Sequence, residues 1–471
     1  MILTVVAIFE VLGLLTAVHA VMSVRTPQGT IAWVAALVTI APASVPAYWV
    51  FGRNKFHGYV LARERELGYL DGVIREANAG VTEHITPTPA QSGALQGAEK
   101  LARLPITSGN SADLLIDGEA TFASIFSGID AAQDYVLVQF YIVKDDELGR
   151  ALKARLVEKA KTGVRVYFLF DEIGSLGLSD AYLNDLRSAG VDVHPFHSRK
   201  GFGNRFQLNF RNHRKTVVAD GKVAWVGGHN VGDEYMGRDP KVGAWRDTHV
   251  RIEGPAVLGA QLAFVEDWRW ATDESLEGLS WDPQAAGDGD SHALVIASGP
   301  ADLLETATLM FIQAINSATT RIWIASPYFV PDDATTRALQ LAALRGVDVR
   351  ILIPEKTDNL LVTLAAYSYF DDVKSVGAQV YRYGEGFLHG KYLLLDDAVS
   401  MIGTANFDNR SFRLNFEITA AVIDREFAAE VERMFETDFA RSRQMEAGEY
   451  DEKPAWFRLG VRLSRLAAPV L

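Results

Sequence analysis

Two histidines, two lysines, two aspartates and two asparagines recur in this chain at one spacing. His213, Lys215, Asp220 and Asn230 form one set and His389, Lys391, Asp396 and Asn406 the other, each member 176 residues from its counterpart. A glycine recurs with them, as Gly227 and Gly403. Such a set can cleave a phosphodiester without a metal. One imidazole attacks phosphorus to give a phosphohistidine, while a second protonates the departing alkoxide and later deprotonates an incoming alcohol. Lys215, Lys391, Asn230 and Asn406 suit the non-bridging oxygens, whose developing charge calls for preorganised donors. Each copy holds a single motif histidine, so the site has to lie between the two.

The elements that position these groups are legible around them. Alternation in each copy predicts a strand that turns His and Lys to one side. Asp220-Gly221 is a hairpin signal, Asp396-Asp397 a weaker one, and Val223 to Val226 reads as a return strand. Asp220 and Asp396 belong to the catalytic motif by pattern, yet their place at the turn suggests that they organise the fold. The repeat extends further: the run from Tyr135 parallels that from Arg321, Gly163 onward parallels Gly346 onward, and Ala189 to His194 parallels Val376 to Tyr381. Helical patterns separate these strands, which predicts an α/β sheet sandwich in each half.

The doubled pattern His-x-Lys-x4-Asp with a Gly-x-x-Asn ending resembles the phospholipase D superfamily. Over nearly its whole length the chain is similar to the bacterial cardiolipin synthases of that superfamily, through Gly29 to Trp33, Asp117 to Phe122, Gly227 to Tyr235, Gly386 to Lys391 and Asn406 to Phe412. Gly390 stands where many relatives have Ser or Ala. The resemblance implies an α/β fold of two homologous halves sharing one active site. It implies that His213 is the nucleophile and His389 the acid/base, and that Asp247 and Glu417 are the acids that orient the motif histidines. The reaction implied takes a phosphatidyl group from one phosphatidylglycerol to another, releasing glycerol and yielding cardiolipin, with no cofactor and no metal. Water, phosphatidylethanolamine or another alcohol as a reactant stays open, because the motifs act on phosphate and not on the head group.

Composition narrows the setting. The chain has 471 residues, no cysteine, and a net charge of −13, which speaks against a nucleic-acid partner. Ile2 to Val24 and Thr30 to Phe51 each have the length and apolarity of a membrane span, with Pro42 and Pro46 as kinks in the second. Arg53, Lys55, Arg63 and Arg65 follow the second span while the connection holds only Arg25, which predicts a multi-pass inner-membrane protein with its catalytic part in the cytoplasm. The expected organisation is a transmembrane hairpin over 1–52, a juxtamembrane helix and linker over 53–111, a first half over 112–272, a connecting loop over 273–290, a second half over 291–445 and a basic amphipathic tail over 446–471. In that tail Trp456, Leu459, Leu463, Leu466 and Val470 share one face and Arg458, Arg462 and Arg465 another, which suits an anionic membrane surface or packing on the catalytic part. Membrane phosphatidylglycerol and cardiolipin are the expected partners, with homodimerisation through the hairpin as a further possibility. Of the remaining histidines, His229 and His249 read as structural, while His194 and His197 are candidates for an entrance. Tyr367, Tyr369 and Phe370 read as core aromatics.

Overall fold

The structure is a computed structural model that describes residues 2–24, 26–53, 56, 59–60, 67–86, 93–196, 209–240, 242–287, 289–357, 359–446 and 448–471. Apolar runs such as Tyr135–Phe140 and Thr216–Ala219 are buried at every residue, as strands covered on both faces must be. They belong to a 16-stranded sheet that passes through both halves. At its middle Thr107–Ile116 pairs antiparallel with Ser291–Ser298. Outward from that seam the first half continues with Thr248–Glu253, Val223–Gly227, Thr216–Ala219, Tyr135–Phe140, Arg165–Asp171 and Asp192–Phe196. The second continues with Asn415–Ile423, Val399–Gly403, Tyr392–Leu395, Arg321–Ala325, Asp348–Pro354 and Gln379–Tyr383, and ends on Ser442–Gln444. Strand for strand the order is the same, so the repeat in sequence is a repeat of topology.

Each motif copy folds as an antiparallel hairpin, Thr216–Ala219 with Val223–Gly227 and Tyr392–Leu395 with Val399–Gly403. The first turn is left-handed at Asp220 and Gly221, with φ of 54° and 66°. Those angles match the twist of the flanking strands, which is why an Asp-Gly pair sits there. The ladder starts just beyond each motif lysine, so the expected strand does not include the histidine and lysine themselves. Their alternation survives: Arg214, between His213 and Lys215, turns away to form a buried ion pair with Asp267 at 2.8 Å.

The helix Val257–Thr272 explains how the halves are joined. It is buried on nearly all sides, against the first sheet half and Ser291–Ser298. Polar groups taken inside need partners, and here Gln261 accepts from the Tyr135 hydroxyl at 2.7 Å and Glu266 meets Arg103 at 2.6 Å. A second buried clamp crosses from half to half, with Nε and Nη2 of Arg246 each at 2.9 Å from an oxygen of the Asp438 carboxylate.

The N-terminal expectation is corrected. Among the described residues one helix, Thr4–Ser23, is long and apolar enough to cross a membrane. The second apolar stretch is two shorter helices, Pro27–Thr39 and Ala41–Phe51, interrupted at Ile40, whose φ of −136° and ψ of 48° fit no helix. Pro42 lies in the first turn of the later helix, where its missing N–H leaves no bond unmade; it marks a break, not a kink. A single-pass reading replaces the multi-pass hairpin, and the sidedness argued from that hairpin falls with it. Arg25, Lys55, Arg63 and Arg65, on which the charge argument leaned, lie outside the described residues. Beyond the helices Phe56 and Tyr59 insert into an aromatic cluster of Phe196, Phe210, Trp270 and Phe416. At the other end the helix Ala455–Arg465 lies on Leu360–Lys374 through Val461 and Ser464. Trp456, Leu459, Leu463 and Leu466 face outward instead, 73, 60, 57 and 79 % exposed, so that apolar row is largely open to its surroundings.

Candidate active site

Two short parallel bridges bring the motifs together. Arg211–Asn212 pairs with Asn415–Phe416, and Trp245–Arg246 pairs with Phe387–Leu388. In both bridges the next residue is a motif histidine on one chain segment and an acid on the other. The His213 N–H donates to the Phe416 carbonyl at 2.9 Å and the His389 N–H to the Arg246 carbonyl at 2.7 Å. A crossed pairing follows. His213 Nδ1 meets the two carboxylate oxygens of Glu417 at 3.0 and 2.9 Å, and His389 Nδ1 meets Asp247 Oδ2 at 2.8 Å. Each half therefore orients the imidazole of the other. An Nδ1 that donates to a carboxylate leaves Nε2 as the ring atom with a free lone pair.

The carboxylates are themselves held. Glu417 accepts from Thr404 Oγ1 at 2.6 Å and Asn415 Nδ2 at 3.1 Å, and Asp247 accepts from the Thr248 N–H at 2.8 Å and Trp245 Nε1 at 3.3 Å. Gly228, the counterpart of Thr404 in the repeat, lies so close that a Cβ there would meet Asp247 Oδ1 at 2.0 Å. One carboxylate is fixed by a hydroxyl and the other by the absence of a side chain. Gly390 has a comparable reason, since its Cβ would meet the Tyr392 ring at 2.4 Å.

Lys215 and Lys391 are buried behind the imidazoles. Lys215 Nζ donates to the His213 carbonyl at 2.6 Å; Lys391 Nζ contacts the His389 carbonyl and lies 2.7 Å from His389 Nδ1. Asn230 Oδ1 accepts the Ile142 N–H at 3.1 Å, while Asn406 keeps a buried Oδ1 with no hydrogen-bond partner. Both histidines and both asparagines line one cavity of about 950 Å³ between the halves, walled by Tyr141, Trp245 and Tyr328. The Tyr141 ring meets His213 edge-on with 5.0 Å between centroids, and Trp245 lies 4.9 Å from His389.

Burial pulls the His213 imidazole down to about 4, with Lys215 adding to the fall and Glu417 opposing it. Burial likewise pulls His389 down to about 3, helped by Lys391 and opposed by Asp247. Burial pushes Asp247 and Glu417 up, but Lys391 near the first and His213 beside the second hold both below the usual carboxylate range. At neutral pH the site thus holds neutral imidazoles against ionised carboxylates. An anionic phosphodiester arriving beside them favours the protonated imidazole, the form needed to protonate a leaving group.

The motif aspartates, grouped by pattern with the catalytic set, stand apart from the histidines, at the turns where the sequence reading had them organise the fold. Asp220 accepts the N–H groups of Gln133, Asp134 and Tyr135 at 2.8 to 2.9 Å. Asp396 does the same for Thr319, Thr320 and Arg321 at 2.8 to 3.1 Å. Neither lines the cavity of the two histidines. They tie each hairpin turn to the start of a neighbouring strand. His229 and His249 are buried with their Nδ1 atoms 3.1 Å apart, and His194 pairs with Asp192 at 2.7 Å outside the cavity wall. His197 lies outside the described residues. Tyr367, Tyr369 and Phe370 are buried in the core. Sequence reasoning passed over Tyr141, Trp245, Thr404, Arg211 and Arg410. Arg211 stands two residues before His213, and Arg410 lies inside the 406–412 stretch that carries the resemblance; both line the cavity.

The family model described as "Cardiolipin synthase, PLD-like domain" matches residues 125–244 and 311–439. The chain is 47 % identical over 467 residues to cardiolipin synthase A of Pseudomonas putida, covering 98 % of this chain and 97 % of that one. It is 46 % identical over 469 residues to cardiolipin synthase A of Pseudomonas fluorescens, covering 99 % and 98 %. Among solved structures it is similar in fold to phosphatidylserine synthase of Haemophilus influenzae, with a TM-score of 0.61 at 14 % identity, over 80 % of this chain and 100 % of that one.

Proposed function

The chain belongs to the cardiolipin synthase family with phospholipase D-like domains, and from that premise we propose how its residues carry the reaction. It is a phosphatidyltransferase that moves a phosphatidyl group from one phosphatidylglycerol to a second. His213 Nε2 attacks the donor phosphorus, the bond from phosphorus to the glycerol oxygen breaks, and His389 delivers a proton to that oxygen. A free glycerol hydroxyl of the second phosphatidylglycerol then gives its proton to His389 and attacks phosphorus, and the bond to His213 breaks to leave cardiolipin. Lys215, Lys391, Asn230 and Asn406 hold the non-bridging oxygens through both steps. Asp247 and Glu417 keep the imidazoles in the tautomer that presents Nε2.

The observation that supports this most is the crossed pair: two imidazoles at one cavity, each with Nδ1 on a carboxylate of the other half. Phosphatidylglycerol labelled at phosphorus, mixed with the full-length protein and quenched in base, tests it. The label is expected on the peptide that contains His213 and is expected to vanish in His213→Ala. Label on His389 would reverse the two roles, and label on neither would remove the covalent step. The acceptor is the finer part of the reading, because hydrolysis or transfer to another alcohol would use the same six groups around phosphorus.

A further inference from the structure

Both substrates of this reaction carry a phosphodiester, so in the second step one anion has to approach another across a single glycerol unit. Lys215 and Lys391 serve the phosphorus at the histidines. Like charges at that range repel, and the repulsion grows as water is excluded, so the incoming lipid needs cationic donors of its own.

Two arginines on the wall of the same cavity meet that need. Arg211 lies in the bridge that leads to His213 and Arg410 follows Asn406, and both line the cavity with the histidines. Neither forms an ion pair with a carboxylate among the described residues. Arg410 donates to Asn209 Oδ1 at 2.9 Å and to the Asn209 carbonyl at 2.7 Å, and Arg211 to the Phe210 carbonyl at 2.6 Å, all of them neutral acceptors. The acids of the wall are engaged elsewhere: Glu234 with Lys144, Glu355 with Arg382 at 3.2 Å, and Asp408 with the Ser411 N–H at 2.7 Å. Burial and the neighbouring Arg211 lower the pKa of Arg410, with Tyr141, Asp408 and Asp171 opposing, so the two guanidiniums stand close enough to feel each other. A planar fork of donors fits the paired oxygens of a phosphodiester.

Resting on the phosphatidyltransferase reading above, we propose that Arg211 and Arg410 form the subsite for the phosphodiester of the acceptor lipid. The pair distinguishes an acceptor that carries its own phosphate from a neutral alcohol or water. It has no part in bond breaking; it holds the second lipid so that its terminal hydroxyl reaches phosphorus on His213.

Two reactions of the full-length protein in mixed micelles separate this from the alternatives. One is cardiolipin formation from phosphatidylglycerol. The other is exchange of labelled free glycerol into phosphatidylglycerol, which uses the same covalent intermediate and a neutral acceptor. Arg211→Gln and Arg410→Gln are each expected to lower cardiolipin formation roughly tenfold more than glycerol exchange, the scale of one hydrogen bond to a charged group. Arg211→Lys should recover part of the loss, and an unchanged melting temperature shows that the variants fold. Equal loss in both reactions would overturn the proposal by placing the arginines at the donor phosphate or in the fold, and so would no loss in either. Failure of the underlying reading looks different, because the wild type itself would make no cardiolipin.

Discussion

His213 and Glu417 come from opposite halves, so the hydrogen bond between them is a seam and, in the proposed reaction, a catalytic device as well. Replacing Glu417 by Gln keeps shape and removes charge, and Asp247→Asn does the same for His389. Each substitution is expected to slow turnover on the order of a hundredfold or more, because general acid–base help is worth that much. In single-turnover experiments with labelled lipid, Glu417→Gln should slow adduct formation at His213, and a normal adduct rate would refute the crossed assignment. Acid stability reports on the same pair. Burial pulls the folded His213 down to about 4 and His389 to about 3, below the 6.5 of an ordinary imidazole. Between those values and 6.5 the unfolded chain binds protons that the fold excludes, so stability rises with pH there and falls as pH drops below 6.5. Urea midpoints from pH 7 to pH 4 should fall, and less so in a His213→Gln, His389→Gln double variant. A flat profile in the wild type would mean that the imidazoles are not desolvated.

At the scale of elements the hairpin turns make a different claim, that the motif aspartates hold structure. Asp220→Ala removes the acceptor of three N–H groups. It is expected to cost about 1–2 kcal/mol of stability while leaving kcat of the folded protein within a fewfold of the wild type. A collapse of kcat without loss of stability would return Asp220 to the catalytic set. The Arg246–Asp438 clamp should matter more, since removing one partner strands a buried charge at about 3–5 kcal/mol; Asp438→Asn should lower the thermal midpoint accordingly. Much of this level was legible: doubled spacing implied doubled topology, and Asp220-Gly221 marked its turn. The crossed bridges were not, because Arg211–Asn212 and Phe387–Leu388 are two-residue pairings too short to leave a period. The break at Ile40 escaped for a related reason, as composition reports apolarity and not where a helix stops. Arg211 and Arg410 escaped because only the fold brings them to one wall.

For the whole molecule, the substrates are lipids and the exposed apolar rows have to be read with that in mind. The helix Ala455–Arg465 turns Trp456, Leu459 and Leu463 outward, beside Arg458 and Arg462. Just beyond it Val470 and Leu471 line the active-site cavity. That row fits an anionic bilayer surface, which would set the cavity against the membrane. A Trp456→Glu, Leu463→Glu variant should lose activity on vesicles severalfold more than in detergent, whereas equal loss would mark the row as structural. Truncating the tail would be a poorer test, because Arg410 donates its N–H to the Leu471 carbonyl at 2.8 Å and the cavity would change as well. The central claim, two-histidine transfer between two phosphatidylglycerols, is tested most directly by mass spectrometry of the lipids formed from phosphatidylglycerol alone, with chelator and without nucleotide. The wild type should give cardiolipin and an equal amount of glycerol, and His389→Ala should give neither. Phosphatidic acid in place of cardiolipin, or cardiolipin from the variant at the wild-type rate, would contradict the account.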